Sequence, residues 1–454
     1  MARRIVKPTK RPKTRHTSAR ARAAAKAAAP AAVGSDGAKG ESDVPVRPVG
    51  TVKGESDVPV RPVGTVKGES DVPVGPVGTV MGESGAPGAK RTVPAVDLAN
   101  IRDSIDSLDA RIHSLLNERA RFAQLVGISK TASGKAVDFY RPEREAQVLR
   151  KALKRNKGPL RDEEIVRLFR EIMSACLAQQ EPLKVAFLGP EGTFTQAAVL
   201  KHFGSSVRAL PLVAIDEVFH EVEGGIADFG VVPIENSSEG TVNHTLDMFL
   251  NSGLKICAEV ELRIHHCLMG RMGGISEVKR VCAHSQALAQ CRGWLDDQLP
   301  DVERVAVASN AEGARRARDE RGTAAIAGSA AADIYGLTLL ANEIEDRPDN
   351  TTRFLVVGRK LFSASGSDRT SLLVSASDTD DAGALFRLLE PLAEHRVNMT
   401  RIESRPSRKR KWDYVFFIDI EGHVSDPPVA KALAALEARA SLFKILGSYP
   451  RAVL

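Results

Sequence analysis

The chain is 454 residues long and 43% apolar, and no apolar run approaches the roughly 20 residues that a membrane-spanning helix requires. Its net charge of +7 comes from one end, because the first 39 residues carry eleven Lys/Arg and one Asp, whereas residues 40–454 sum to −3. The body of the chain is therefore not a nucleic-acid-binding surface by charge, and we expect no membrane partner. A chain of this length predicts about two to four domains.

Residues 1–95 are predicted to be a disordered tail. A 14-residue unit that begins GESDVPV recurs at Gly40, Gly54 and Gly68, and a fragment of it restarts at Gly82. The units are rich in Pro and Gly and have few large apolar side chains, so they cannot bury a core. We expect a linker or stalk with a solvated basic start. Contact of that start with nucleic acid or an anionic surface, or a role as a transit peptide, is the alternative.

Residues 96–182 show the periodicity of an all-helical domain. Apolar residues step by threes and fours along the first helix, which is typical of a coiled-coil-like seam. The members of this seam are Ile101, Ile105, Leu108, Ile112, Leu115, Phe122 and Val126. A second helix is predicted to open at Tyr140-Arg141-Pro142 and a third at Asp162. Three helices are too thin to bury such a seam, so we expect a homodimer or a higher homo-oligomer.

Four polar residues fall on helix faces that this pattern would bury, namely Arg119, Lys130, Glu145 and Gln180. An internal salt bridge between Arg119 and Glu145 would explain two of them, because an unpaired buried charge is costly. Counted with Arg102, however, the cations outnumber Glu145 and leave positive charge for a ligand with more than one carboxylate. Arg102 and Arg119 lie about 25 Å apart along one helix, so a small ligand could touch both only if they came from two chains.

From residue 183 the sequence changes to short β-rich runs that alternate with helices. This predicts an α/β domain with largely parallel sheets over residues 183–360. Over residues 368–449 the predicted order is strand, helix, strand, strand, helix, which indicates an antiparallel sheet with helices on one face. Glycine turns lead into helices in GPEGTFTQAA and VVPIENSSEGTVN. Such a turn offers N–H groups to an anion, although each taken singly is more often an ordinary turn.

The five cysteines form no CxxC pair, which favours reduced thiols in a cytoplasmic protein over a disulfide framework or a zinc site. The nearest approach to a metal-binding cluster is His265-His266-Cys267, but neighbours on a strand face opposite ways. We interpret these three residues as structural and expect no metal site.

Residues 97–180 resemble the all-helical chorismate mutases through IRDSIDSLDARIHSLLNERARFAQLVGISK, YRPEREAQVL and FREIMSACLAQQ. The resemblance implies a rearrangement without a cofactor, in which the enzyme folds chorismate into a compact conformer and stabilises charge on the breaking ether oxygen. It assigns the two carboxylates to Arg102 of the partner subunit and Arg119, the ether oxygen to Lys130 and Gln180, and the ring hydroxyl to Glu145. Arg144 would support the site. Arg141 and Cys176 stand where relatives carry Asp and Ser.

Residues 184–355 resemble the prephenate dehydratases through the IENS run, the AHSQALAQC run and the TRF triplet that begins at Thr352. The resemblance implies two α/β lobes with a cleft between them, like periplasmic binding proteins. Prephenate would lose carbon dioxide and its ring hydroxyl there without a cofactor, and Thr352 would hydrogen-bond or protonate the hydroxyl. The residues expected to position the ring and the carboxylates are Thr193, Thr195, Asn236, Ser237, Gln286 and Arg353.

Residues 369–448 resemble the ACT domain, a ligand-binding module of amino-acid pathways, through a GAL-type helix start and an ESRP strand end. The glycine-led helix start would meet the carboxylate of L-phenylalanine, and Asn398 and Glu403 would take its ammonium group. The residues assigned to this allosteric site are Gly383, Ala384, Leu385, Asn398, Glu403, Ser404 and Arg405. A dimerisation module without a ligand is the alternative.

The three resemblances follow the order of the bacterial fused enzymes that convert chorismate through prephenate to phenylpyruvate under feedback by phenylalanine. Two alternatives stay open, a non-catalytic phenylalanine sensor and a dehydratase whose helical domain only dimerises. Thr352 and the surplus cations argue against the sensor. The sequence does not decide between prephenate and arogenate as the substrate.

Overall fold

The computed structural model describes residues 98–132, 140–376, 382–407 and 414–454. The predictions for the tail, residues 1–95, and for the side chain of Lys130 lie outside the described residues. Within the described ranges, no helix is both long and apolar enough to cross a membrane.

The N-terminal part of the described chain consists of helices, and we call it the helical domain. The helices are α1 (Leu98–Ala132), α2 (Pro142–Arg155) and α3 (Asp162–Ala178). α2 begins with a proline and α3 with three acidic residues, both of which are favoured at helix N-termini. The seven seam side chains of α1 are between 43% and 61% exposed. Within the described residues, a single chain therefore leaves the apolar face of α1 uncovered.

The next part forms two lobes, and we call it the two-lobed domain. Its strands are β1 (Lys184–Leu188), β2 (Arg208–Leu212), β3 (Phe229–Asn236), β4 (Gly240–Thr241), β5 (Lys255–Arg263), β6 (Cys267–Gly270), β7 (Arg280–His284), β8 (Glu303–Val307), β9 (Thr323–Ala327), β10 (Thr338–Ala341) and β11 (Thr351–Gly358). Its helices are α4 (Phe194–Phe203), α5 (Ile215–Glu223), α6 (Asn243–Asn251), α7 (Ser285–Gln290), α8 (Arg292–Gln298), α9 (Asn310–Asp319) and α10 (Ala330–Tyr335), with a 3-10 turn at Ile275–Glu277.

Both sheets of this domain are mixed, whereas the sequence predicted largely parallel sheets. The first lobe has the order β2-β1-β3-β11-β5, with β4 beside β3, and the second has the order β10-β6-β9-β7-β8. β1 is parallel to β2 and β3, but β11 is antiparallel to β3 and β5. Connectivity is the reason, because the chain leaves the first lobe after β5 and returns along β11. These two neighbouring strands link the lobes.

The last part, which we call the C-terminal domain, has an antiparallel sheet with helices on one face. Its elements are β12 (Asp368–Ala376), α11 (Ala384–Glu394), β13 (Met399–Pro406), β14 (Tyr414–Glu421), α12 (Pro427–Arg439) and β15 (Ala440–Pro450). The strand order is β13-β14-β12-β15. The sequence predicted the first five elements but missed β15, which follows α12 without an intervening turn residue.

The other face of this sheet packs on the first lobe. Leu373 and Tyr449 share one hydrophobic core with Leu355 of β11. Gly447 lies so close to β5 that a Cβ at this position would be 2.2 Å from the carbonyl oxygen of Ile256. The C-terminal domain is thereby held against the two strands that link the lobes.

Candidate active site

A cleft opens between the two lobes and encloses about 570 Å³, which suits a small ligand. Both lobes contribute polar side chains to its wall. The sequence-predicted residues that line it are Thr193, Thr195, Asn236, Gln286 and Thr352. The other two predicted positions, Ser237 and Arg353, do not line the cleft.

The glycine turn after β1 builds the first-lobe wall. Thr193 is the N-cap of α4, and its Oγ1 accepts a hydrogen bond from the backbone N–H of Gln196 at 3.4 Å. The same hydroxyl donates to the carbonyl of Pro190 at 3.0 Å. Thr195 is buried in the first turn of the helix. The N-terminus of α4 therefore faces the cleft, where it can meet a carboxylate.

β11 and the residue that precedes it present alternate side chains to the cleft. Asn350, Thr352 and Phe354 line it, whereas Thr351 and Arg353 face the other side of the sheet, as the two-residue period of a strand requires. Thr351 pairs with Ser237 instead: its N–H donates to Ser237 Oγ at 2.9 Å and its carbonyl accepts from the N–H of Ser237 at 2.9 Å. Ser237 therefore ties β3 to β11 rather than pointing into the cleft.

Arg353 belongs to a buried ion network between the first lobe and the C-terminal domain. Its guanidinium donates to Glu259 at 2.9 Å, to Asp419 at 2.7 Å and to the hydroxyl of Tyr449 at 3.1 Å. Burial alone would lower the pKa of Arg353, but these three neighbours outweigh it and hold the pKa above its ordinary value. Arg353 was predicted to bind substrate, but its position on the strand directs it to the C-terminal domain and away from the cleft.

Asn236 sets the orientation of Thr352. Its Oδ1 accepts the backbone N–H groups of Ser238 and Glu239 at 2.9 and 3.0 Å. Its Nδ2 is therefore the donor to Thr352 Oγ1 and to Asn350 Oδ1, both at 2.8 Å. Thr352 thus receives a hydrogen bond, while its own hydroxyl hydrogen has no acceptor among the described residues. That hydrogen is available to a ligand in the cleft.

The sequence-based predictions assigned no substrate-binding role to four further polar residues of the cleft, His266, Gln290, Asn350 and Glu239. Gln290 Nε2 donates to Glu239 Oε1 at 3.2 Å, and Gln290 Oε1 accepts from Asn350 Nδ2 at 3.1 Å. His266 Nε2 lies 2.8 Å from the same Gln290 oxygen. Gln290 and Asn350 fall inside or beside the AHSQALAQC and TTRF runs, and Glu239 falls inside VVPIENSSEGTVN, so a signal existed for three of them. His266 was noted in the His265-His266-Cys267 run and was interpreted there as structural.

One chain does not bring the predicted residues of the helical domain together. Arg102 is exposed near the start of α1, and Arg119 is half-buried further along the same helix. Gln180 Nε2 donates to the carbonyl of Ala123 at 2.9 Å and fills the space beside Gly127, where a Cβ would clash with it at 2.6 Å. Gln180 therefore lies on the half of α1 that contains Arg119, at a distance from Arg102.

Glu145 pairs with Arg170, at 3.7 Å, and not with Arg119 as the internal salt bridge would require. It lies beside Tyr140 where α2 meets the two-lobed domain. Burial raises the pKa of Glu145 to about 7, against the opposing charge of Arg170. Of the remaining predicted residues here, Cys176 is buried and Arg144 is exposed.

The β13 residues that were predicted to bind L-phenylalanine lie on two opposite faces of the C-terminal sheet. Glu403 accepts a hydrogen bond from Thr241 Oγ1 at 2.9 Å, and Arg405 forms a salt bridge with Asp247 at 2.8 Å. Both partners belong to the two-lobed domain. The register explains this, because Glu403 is opposite Phe417, which packs in the core shared with the first lobe. An ammonium-binding role of Glu403 does not agree with these contacts.

The other residues assigned to the phenylalanine site lie on the remaining surface of the C-terminal domain. Gly383 has a φ of 81°, which favours glycine, at the N-terminus of α11. Ala384 is half-buried and Leu385 is exposed at the start of that helix, and Asn398 and Ser404 are exposed. These positions are open to a ligand or to a second chain.

Three family models match the chain in the order of its domains. Chorismate mutase type II matches residues 101–181, prephenate dehydratase matches residues 185–361, and the ACT domain matches residues 370–438. A solved structure of a prephenate dehydratase from Arthrobacter aurescens, in complex with L-Phe, is 38% identical with a TM-score of 0.56. The match covers 59% of this chain and 90% of that one.

Two relatives are similar to most of this chain. Bifunctional chorismate mutase/prephenate dehydratases of Stutzerimonas stutzeri and Pseudomonas aeruginosa are each 55% identical, over 364 and 361 residues. Each match covers 79% of this chain, and it covers 99% and 98% of the two relatives. Because these relatives are matched over nearly their whole length, the chain belongs to the family of bifunctional chorismate mutase/prephenate dehydratases.

Proposed function

We propose that each domain of this chain has its own task in making phenylpyruvate. The helical domain converts chorismate to prephenate, and the cleft of the two-lobed domain converts prephenate to phenylpyruvate. The C-terminal domain binds L-phenylalanine and lowers the second rate. The five described cysteines are free and buried, which supports a cytoplasmic location for the enzyme.

The observation that carries the dehydratase proposal is the free hydroxyl hydrogen of Thr352. Prephenate must lose its ring carboxylate as carbon dioxide and its ring hydroxyl as water, after which the ring is aromatic. As the carbon–oxygen bond breaks, negative charge develops on the leaving oxygen. Thr352 can donate to that oxygen, because Asn236 occupies the acceptor side of its hydroxyl. Thr195 and the backbone N–H groups at the N-terminus of α4 would hold a carboxylate, whereas the hydroxyl of Thr193 is already used within the turn.

The mutase proposal needs a dimer, and the uncovered seam of α1 supports one. Burying seven large apolar side chains that are about half exposed is strongly favourable. A second chain would bring its Arg102 to the region of Arg119 and Gln180. There the cations would bind the two carboxylates of chorismate and hold it in the reactive conformer.

A mixing experiment tests the shared mutase site. Chains with Arg102→Ala and chains with Arg119→Ala should each consume chorismate very slowly. After the two are unfolded together and refolded, half of the dimers are mixed, and each mixed dimer has one intact site. About one quarter of the wild-type rate should return. No recovery, in mixtures shown to exchange chains, would place both arginines in the site of a single chain.

One reaction distinguishes the complete function from its alternatives. Chorismate loss and phenylpyruvate formation are followed separately, with and without L-phenylalanine. We expect chorismate loss and phenylpyruvate formation, and we expect L-phenylalanine to slow phenylpyruvate formation. Phenylpyruvate from added prephenate without chorismate loss would leave only a dehydratase with a dimerising helical domain. Phenylalanine binding without either conversion would leave only a sensor.

A further inference from the structure

His266 is a buried side chain of the cleft with one unused nitrogen. The residue is only 2% exposed and lines the cleft next to Gln290 and Asn350. Its Nδ1 is buried without a hydrogen-bond partner in the part of the chain that the structure describes. A buried polar atom without a partner costs free energy, so it needs an explanation such as a ligand.

A chain of hydrogen bonds determines which nitrogen of His266 bears the proton. Asn236 is fixed by two backbone N–H groups, so its amide donates to Asn350 Oδ1, and Asn350 Nδ2 then donates to Gln290 Oε1. The amide of Gln290 donates to the Glu239 carboxylate, which confirms that Oε1 is its acceptor end. His266 Nε2, 2.8 Å from Oε1, must therefore be the protonated nitrogen. This leaves Nδ1 as a bare acceptor.

The surroundings of His266 favour the neutral ring. Burial lowers the pKa of His266, and the bond to Gln290 and the charge of Glu345 oppose this only in part. The Glu345 carboxylate is already engaged, because it accepts the backbone N–H of His266 at 2.8 Å and lies 2.7 Å from His265 Nδ1. The edge of the ring packs against Phe194, with 5.5 Å between the ring centroids. A neutral ring offers a ligand an acceptor and no positive charge.

Prephenate has a single hydrogen-bond donor. Its two carboxylates and its ketone only accept hydrogen bonds at neutral pH, whereas its ring hydroxyl both donates and accepts. We infer that His266 Nδ1 accepts a hydrogen bond from the ring hydroxyl of the substrate, and this rests on the proposed dehydratase function of the cleft. The hydroxyl is then oriented with a lone pair free for the hydrogen of Thr352, which is at the other end of the same hydrogen-bond chain. His266 thereby presents the leaving oxygen to its donor.

Two substitutions of His266 test the Nδ1 acceptor independently of the packing of the ring. His266→Gln keeps an amide that can reach Gln290 but removes the acceptor at the Nδ1 position. His266→Asn keeps an acceptor near the Nδ1 position and loses the contact with Gln290. His265→Gln is the matched control, because this neighbouring side chain pairs with Glu345 and does not line the cleft.

The measurement compares prephenate with an analogue in which hydrogen replaces the ring hydroxyl. For His266→Gln we expect kcat/KM with prephenate to fall about 10- to 100-fold, the effect of losing one buried hydrogen bond to a substrate. The Kd of the deoxy analogue should change less than about threefold, because that molecule has no hydroxyl to lose. The kcat/KM with prephenate should fall less in His266→Asn than in His266→Gln, and His265→Gln should behave like wild type.

Equal weakening of prephenate and of the deoxy analogue would overturn the inference and leave His266 as a packing residue. So would an unchanged kcat/KM in His266→Gln. Binding of the deoxy analogue by the same preparations reports on the folding of the cleft, and chorismate consumption reports on the helical domain. Failure of the dehydratase function itself is recognised separately, since wild-type protein would then form no phenylpyruvate from prephenate.

Discussion

Replacing Arg353 by methionine should destabilise the protein without weakening prephenate binding. Arg353 bridges two carboxylates whose side chains are nearly inaccessible, Glu259 at 1% and Asp419 at 7% exposure. Glu259 keeps Arg369 as a partner after the substitution, and among the described residues Asp419 keeps only the hydroxyl of Ser371. Leaving one buried carboxylate without its cation costs about 3–5 kcal/mol. We expect a loss of this size in the free energy of unfolding of the two-lobed and C-terminal domains.

Urea unfolding and prephenate kinetics on the same variants provide the assay. The double variant Arg353→Met with Asp419→Asn should regain part of the lost stability, because it removes the stranded charge. KM for prephenate should stay within about threefold of wild type in every variant that folds, since the guanidinium lies outside the cleft. A variant of unchanged stability with a KM raised tenfold or more would refute this reasoning and make Arg353 a substrate cation.

Three further predictions concern the other domains. Arg119→Ala should abolish chorismate consumption and leave phenylpyruvate formation from added prephenate intact; loss of both would make Arg119 structural. The pKa of Glu145 is raised to about 7 in the folded protein, so the free energy of unfolding of the wild type should fall as pH rises from about 4.5 through 7. Glu145→Gln should remove that fall, which is on the order of 3 kcal/mol between pH 5 and pH 8 and can be followed in thermal melts. Gly383→Val should relieve inhibition by phenylalanine at unchanged kcat, because φ of 81° strains any other residue there.

The sequence predicted those features that depend on local periodicity. The steps of three and four residues along α1 indicated both the helix and an apolar face that one chain leaves uncovered. The alternation of β11 could also have shown that Thr352 and Arg353 point to opposite faces. The prediction for Arg353 transferred a motif as a unit, although neighbouring residues of a strand face opposite sides and Arg353 points to the C-terminal domain.

Features that depend on how domains pack were not readable from the sequence. Glu403 and Arg405 looked like ligand-binding residues, but the C-terminal sheet lies on the first lobe and directs them to Thr241 and Asp247. Similarly, the tautomer of His266 is fixed by its hydrogen bond to Gln290, which is far from it in sequence. A local sequence pattern shows which residues share one face of a helix or strand. It does not show which part of the protein packs against that face, because this depends on the tertiary structure.

The most direct test of the whole account is the turnover of prephenate by Thr352→Val, with Thr351→Val as the matched control. Valine keeps the shape of threonine and removes the hydroxyl hydrogen that, in our proposal, Thr352 donates to the leaving oxygen. We expect kcat of the dehydratase to fall by roughly 10²- to 10⁴-fold in Thr352→Val. Thr351→Val and chorismate consumption should change little, because Thr351 faces away from the cleft. Equal and small effects of the two substitutions would contradict the account.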